Sequence, residues 1–85
     1  MGKTTLTVVV NGTPTEIERN DNAPLQSLIG KALSQTNNTG QPEENWILKD
    51  RDGNKLDVMK KISEYGFADG VVLYLTLGAG ITGGH

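Results

Sequence analysis

The residues best suited to chemistry in this sequence are Gly83 and Gly84, which directly precede His85. Two successive glycines have no side chains and a wide choice of φ, so they can follow an extended path through the narrow active site of another protein. The pattern predicts that this pair is presented to such an active site. The rest of the protein would then be the part that the acting enzymes recognise.

Side chains for catalysis by the chain itself are scarce. His85 is its single histidine, and the sequence has no cysteine. With one histidine and no cysteine, the chain cannot assemble a metal site, a nucleophile–base pair or a disulfide. We therefore expect that the protein is not an enzyme and that it needs no cofactor.

Length and charge limit the other classes of protein. Eighty-five residues predict one small domain with a modest core. A net charge of -2 offers no basic stripe, so we expect no nucleic-acid partner. No stretch approaches the roughly 20 apolar residues of a membrane span, and the first residues lack a signal peptide's apolar run. A cytoplasmic monomer without a membrane partner is expected, and the lack of cysteine fits that compartment.

The elements that must position the glycine pair begin with a hairpin. Residues 4–10 place apolar side chains at every second position, which is the period of a strand. Asn11-Gly12 then supplies the dipeptide best suited to the positive φ angles of a tight turn. The returning strand, residues 13–19, contains Pro14, which has no N–H to donate. This second strand is therefore predicted at a sheet edge.

A helix is predicted after the hairpin. Residues 20–22 are Asn-Asp-Asn and offer capping side chains. Pro24 suits a first helical turn, and apolar residues recur at helical spacing to about Thr36. Gly30 indicates either close packing against the sheet or a tolerated surface position, and the sequence does not decide between them.

Further strands are predicted at Trp46–Lys49, at residues 55–57 in a short form, and at Val71–Leu77. Residues 58–70 mix polar and apolar side chains and are predicted to form a turn or a single helical loop. The first and last strands are the most apolar, so they should lie in parallel at the sheet centre. The predicted fold is α+β, with one mixed sheet of four to five strands wrapped on one helix.

Two stretches resemble the last third of ubiquitin: Ile62-Ser63-Glu64-Tyr65-Gly66-Phe67 and Leu73-Tyr74-Leu75-Thr76-Leu77. The predicted element order is also that of the β-grasp fold. Residues 46–50, Trp-Ile-Leu-Lys-Asp, with Asp52-Gly53 are more similar to bacterial ubiquitin-like proteins than to ubiquitin itself. The chain is thus most similar to a bacterial ubiquitin-like modifier.

This resemblance implies a β-grasp domain at residues 1–77 and a flexible diglycine tail at residues 78–85. It implies a processing protease that cuts after Gly84 and removes His85. An activating enzyme would adenylate the Gly84 carboxylate with ATP, Gly83 would lie beside it in the enzyme channel, and a conjugating enzyme would carry it as a thioester to lysines or other nucleophiles of target proteins.

The resemblance also implies a partner-binding patch on the sheet at Ile47, Tyr74 and Thr76. Trp46 and Leu48 should face the core, which puts Ile47 on the outer face. An exposed isoleucine beside a tyrosine is a plausible small interaction patch. It is an equally good interpretation that Ile47 is an ordinary exposed apolar residue without a binding role.

Two other functions remain open from the sequence. A sulfur-carrier protein would use a Gly84 thiocarboxylate for cofactor synthesis, although such carriers usually end at the diglycine. An interaction module without conjugation would leave the tail without a role. The uncharged residues 78–82 also depart from the short basic tail of ubiquitin.

Overall fold

The computed structural model describes residues 2–78, which form one four-stranded mixed sheet and two helices. The elements in chain order are β1 (Lys3–Val10), β2 (Thr13–Asn20), α1 (Gln26–Gln35), a 3₁₀ turn (Glu43–Asn45), β3 (Trp46–Lys49), α2 (Ile62–Tyr65) and β4 (Val71–Leu77). The sheet order is β2-β1-β4-β3. β1 and β4 are parallel neighbours at the centre, which confirms that prediction and the α+β fold class.

The core lies between the sheet and α1. Along β1 every second side chain is buried, which is the alternation that the sequence predicts. α1 contributes Leu28, Ile29, Ala32 and Leu33, whose spacing places them on one helical face. The largest side chains that the core buries completely are Leu6, Leu25, Leu28, Leu48, Ile62, Leu73, Leu75, Val8 and Val10.

The hairpin turn has the geometry that its dipeptide predicts. Asn11 has φ 50° and Gly12 has φ 83°, so both occupy the left-handed region that this turn requires. Val10 and Thr13 are paired directly across it. β2 is an edge strand, as predicted, so Pro14 lacks an N–H only at the margin of the sheet.

The predicted helix cap is wrong. Asn20 Oδ1 accepts a hydrogen bond from the N–H of Asn22 at 2.8 Å. This bond closes a local turn and does not cap α1. The N–H groups of Leu25 and Gln26 instead donate to the carbonyls of Lys60 and Val58, each at 2.9 Å. Backbone acceptors from a distant segment therefore satisfy the first free donors of α1.

The short strand predicted at residues 55–57 is also wrong. Lys55 forms an isolated bridge with Lys49, and the N–H of Leu56 donates to the carbonyl of Leu48 at 2.8 Å. The chain then leaves β3 because Val58 is bonded to α1, so no fifth strand forms within residues 2–78. The helical turn predicted between residues 58 and 70 is present as α2.

Gly30 packs against a loop rather than against the sheet. A Cβ at this position would lie 2.7 Å from Glu43 Oε2, the end of a flexible side chain in the 3₁₀ turn. The glycine therefore lets the Glu43 side chain lie close to α1.

Candidate interaction face and tail root

The outer face of the sheet is the surface that points away from α1, and strand register determines which residues meet on it. Val9 of β1 is opposite Tyr74 of β4, and Tyr74 is opposite Lys49 of β3. Ile47 is opposite Thr76. Residues directly opposite on neighbouring strands have side chains close enough to interact.

The three residues predicted as a patch share this outer face. Tyr74 and Thr76 are successive outward positions on β4, and both are exposed. Tyr74 is 39% exposed, and Ile47 is half-buried. Because Ile47 is opposite Thr76, which is two residues from Tyr74, the structure brings the three together.

Sequence reasoning missed Val9 and Val72, which also contribute to the apolar part of this face. Both are half-buried, and Val9 adjoins Tyr74 through the parallel pairing. Their alternation with core residues marks them as outward positions. Val72 lies two residues before Tyr74 on β4, whereas the place of Val9 beside Tyr74 follows from the β1–β4 register, which the sequence does not specify.

Charge is distributed unequally across the outer face. Glu16 and Glu18 of β2 are opposite Thr7 and Thr5 of β1, so the carboxylates lie along one edge of the sheet. Lys49 lies on β3 at the other edge. The apolar centre is therefore bordered by negative charge on one side and by positive charge on the other.

The root of the predicted tail is fixed to the sheet. The N–H of Gly78 donates to the carbonyl of Asn45 at 2.9 Å, and Gly78 is buried. Asn45 is held in turn by its side-chain amide, which donates to Gln41 Oε1 at 3.0 Å. The predicted conjugation and processing residues Gly83, Gly84 and His85 lie outside the described residues.

The turn at residues 50–54 is organised by a single carboxylate. Asp50 Oδ1 accepts hydrogen bonds from the N–H groups of Asp52 and Asn54, each at 2.9 Å. Hydrogen bonding from the Asn54 backbone is the main cause that lowers the pKa of Asp50 below its ordinary value. Both contacts are internal to the turn, so the carboxylate serves a structural purpose.

Other kinds of site have little support in the part of the chain that the structure describes. Residues 2–78 contain no group of three or more His, Cys, Asp or Glu side chains placed to hold a metal ion. Neither helix in that range has the length and apolar character needed to cross a bilayer.

Comparison with known proteins places the chain in a family. A family model described as "Protein of Unknown function (DUF2604)" matches residues 1–83. The uncharacterized protein y4jI of Sinorhizobium fredii (strain NBRC 101917 / NGR234) is 50% identical over 82 residues. The match covers 96% of this chain and 63% of that relative, so the chain spans less than two thirds of its length.

Solved structures with the same fold are ubiquitin-like. The ubiquitin of Caldiarchaeum subterraneum has a TM-score of 0.75 and 23% identity, covering 98% of this chain and 100% of that chain. The ubiquitin-like domain of Arabidopsis thaliana protein At2g32350 has a TM-score of 0.71 and 22% identity, covering 91% of this chain and 79% of that chain. These likenesses confirm the predicted β-grasp fold. The protein has a ubiquitin-like fold and belongs to the family described as "Protein of Unknown function (DUF2604)".

Proposed function

We propose that this protein is a ubiquitin-like modifier, cut after Gly84 and joined through the Gly84 carboxyl group to target proteins. The observation that carries the proposal is the position of the tail root in a ubiquitin-like fold. β4 leads from the outer-face residues Tyr74 and Thr76 directly to Gly78, which Asn45 holds at the end of the sheet. The Gly83-Gly84 pair follows a few residues later in the sequence.

The proposed chemistry takes place at the Gly84 carboxyl group. A protease hydrolyses the peptide bond between Gly84 and His85. The freed carboxylate attacks the α-phosphate of ATP in an activating enzyme, giving an acyl adenylate and pyrophosphate. A cysteine thiolate displaces AMP to form a thioester, which passes to a conjugating enzyme. An amine of the target then displaces that thiolate, forms an amide bond and loses a proton.

Partner recognition in this proposal uses the outer face. Ile47, Tyr74 and Thr76 supply a small apolar and hydroxyl-bearing surface, with Lys49 at its margin. Aromatic residues are enriched at protein interfaces, and polar groups around an apolar centre are typical of their rims. An enzyme that binds this face would hold the domain close to Gly78, where the tail begins.

Mass spectrometry of the protein recovered from its own cells tests the proposal. The protein would carry an affinity tag before Gly2, which is exposed. The expected result is a set of target peptides branched at a side chain that is joined to Gly84. Gly84→Ala should abolish these adducts, whereas Gly80→Ala, the same change earlier in the tail, should retain them. Recovery of only unconjugated protein under many growth conditions would overturn conjugation.

The same experiment distinguishes the sulfur-carrier function. A carrier would yield free protein that ends at Gly84 with one carboxyl oxygen replaced by sulfur, and no branched peptides. A complementation test addresses the interaction module: if deletion of the protein impairs growth and a chain that lacks residues 83–85 restores it, an interaction module is supported instead.

A further inference from the structure

A depression lies at the end of the sheet where β4 stops and the tail begins. Its volume is about 210 Å³. The apolar part of its lining is Trp46 and Leu77, which are paired directly between β3 and β4. Leu77 is half-buried, so part of its side chain is open to solvent. The remaining lining comes from the hairpin turn and from the loop after α1, and consists of Asn11, Asn37, Asn38, Gly40 and Gln41.

The walls of the depression are fixed by hydrogen bonds. Asn11 Nδ2 donates to Asn38 Oδ1 at 3.0 Å, which ties the hairpin turn to the loop after α1. The N–H of Asn38 donates to the carbonyl of Leu33 at 2.8 Å, and its Nδ2 donates to Thr36 Oγ1 at the same distance. A site whose walls are already in place loses little conformational freedom when it is filled.

The lining of the depression is uncharged. Among residues 2–78, those that line it are apolar residues, glycine and side-chain amides. The larger cleft beside β3, of about 510 Å³, differs in that Glu44, Lys55 and Asp57 line it. Burial of an unpaired charge is costly, so the depression favours an uncharged segment.

The tail supplies a segment of that kind. Residues 79–82 are Ala-Gly-Ile-Thr and carry no charge. Ile81 is the one residue in positions 78–85 whose apolar side chain is larger than a methyl group. Protein cavities of about 150 Å³ can hold a molecule as large as benzene. The depression therefore has room for one isoleucine side chain.

The tail also starts at the rim of the depression. The N–H of Gly78 donates to the carbonyl of Asn45 at 2.9 Å. Asn45 Nδ2 donates to Oε1 of Gln41 at 3.0 Å, and Gln41 lines the depression. A β-turn over residues 78–81 would bring the Cα of Ile81 within about 7 Å of that of Gly78. Two of those four residues are glycine, which is frequent in turns.

We propose that this depression binds the protein's own tail, with the Ile81 side chain packed against Trp46 and Leu77. Gln41 Nε2 is placed to donate to a backbone carbonyl of the bound segment, because Gln41 Oε1 already accepts within the domain. A tethered segment this close to its site has an effective concentration of about millimolar, so even a weak contact is populated. The site goes beyond the proposed function because it requires no enzyme.

Binding of the tail would control access to the diglycine pair. Gly84 is three residues after Ile81, so a bound Ile81 keeps Gly84 within about 10 Å of the depression. The pair then enters a deep enzyme channel only after Ile81 has left the depression. This consequence rests on the proposed function, whereas binding of the tail does not.

NMR spectroscopy of the isolated full chain tests the binding site without any enzyme. The expected result is nuclear Overhauser effects between the methyl groups of Ile81 and the indole protons of Trp46, the only tryptophan in the chain. Absence of these effects would overturn the proposal. A mixture of isotope-labelled and unlabelled chains identifies the occupant. Effects that appear only between labelled and unlabelled chains would show that a second copy's tail fills the depression, which would overturn binding within one chain.

Two tail substitutions provide a matched comparison. Ile81→Asp should shift the amide signals of Asn38 and Gly40 and change the emission of Trp46, because a carboxylate does not stay in an uncharged depression. Thr82→Asp places the same charge one residue later and should have a far smaller effect on all three signals. Equal effects of the two substitutions would overturn the proposal. Because neither assay involves conjugation, failure of tail binding is distinguishable from failure of the proposed function.

Discussion

The hydroxyl of Tyr65 accepts a hydrogen bond from the backbone N–H of Asp57 at 2.7 Å. The Tyr65 ring also stacks on Phe67, with centroids 5.3 Å apart, and lies 5.7 Å from Lys60 Nζ. α2 therefore holds the segment that follows Asp57. The carbonyls of Val58 and Lys60 in that segment accept hydrogen bonds from the start of α1. Through this contact a single tyrosine couples the two helices.

Tyr65→Phe should lower the free energy of unfolding by about 1 kcal/mol, because it removes the acceptor for Asp57 but keeps the stacked ring. Urea unfolding measures the change. Tyr74→Phe is the matched control, since Tyr74 is 39% exposed, and it should change the free energy by less than about 0.5 kcal/mol. Equal effects of the two substitutions would contradict a structural role for the Tyr65 hydroxyl.

Gly12→Ala should destabilise the protein by about 1–2 kcal/mol, because Gly12 has φ 83° and an alanine side chain is strained there. Gly40 is a useful control, since its backbone is not in the left-handed region and an added Cβ would meet nothing within 4 Å. Gly40→Ala should be neutral or slightly stabilising. Thermal unfolding of both variants checks the difference. A loss of stability only in Gly40→Ala would refute the left-handed backbone conformation of Gly12 as a source of strain.

Asp50 should make stability depend on pH in acid. Its folded pKa is lowered, chiefly by hydrogen bonding from the Asn54 backbone, so the ionised carboxylate favours the folded state. This stabilisation is fully present above the unfolded pKa of Asp50 and is lost as the pH falls through the lower folded pKa. Asp50→Ala should thus be less stable than the unmodified protein near neutrality, and the gap should close in acid.

Urea unfolding over a range of pH measures that gap. Asp52→Ala is the control in the same turn, because no hydrogen bond to the Asp52 side chain is present among residues 2–78. A gap for Asp50→Ala that stays constant to the lowest pH would show that the carboxylate contributes in some other way.

Val9→Arg should reduce conjugate formation about as much as Tyr74→Arg, because the two residues are opposite each other on the outer face. If the two residues are hot spots at the centre of the interface, the loss of either costs more than about 1 kcal/mol of binding, or about fivefold. The yield of branched peptides measures the effect. Lys31→Glu, an exposed change on α1, should leave the yield unaltered. Normal conjugation by both arginine variants would exclude this face from enzyme recognition.

Much of the sheet could be predicted because its signals are local. Alternation along β1 and the Asn11-Gly12 dipeptide define a hairpin without reference to the rest of the chain. The outward direction of Ile47 and Tyr74 follows from the same alternation. The tail residues Gly83 and Gly84 stay a prediction from the sequence.

The errors arise where distant backbone groups compete with nearby side chains. The sequence predicts that residues 20–22 cap α1, but the carbonyls of Val58 and Lys60 take that role. The bond from Gln26 to Val58 also ends the pairing predicted for residues 55–57. Val9 was missed because its neighbour Tyr74 depends on a parallel register between the first and last strands. None of these pairings has a signature in a local window of sequence.

The central position of β4 has a consequence for synthesis of the protein. β4 lies between β1 and β3, yet it is the last of the four strands to leave the ribosome. Until it emerges, the hairpin and β3 have no strand to join them, and the core lacks Leu73 and Leu75. The domain is therefore completed only when the strand that precedes Gly83 and Gly84 in the sequence has emerged. An enzyme that requires the folded outer face would not bind chains whose synthesis is incomplete.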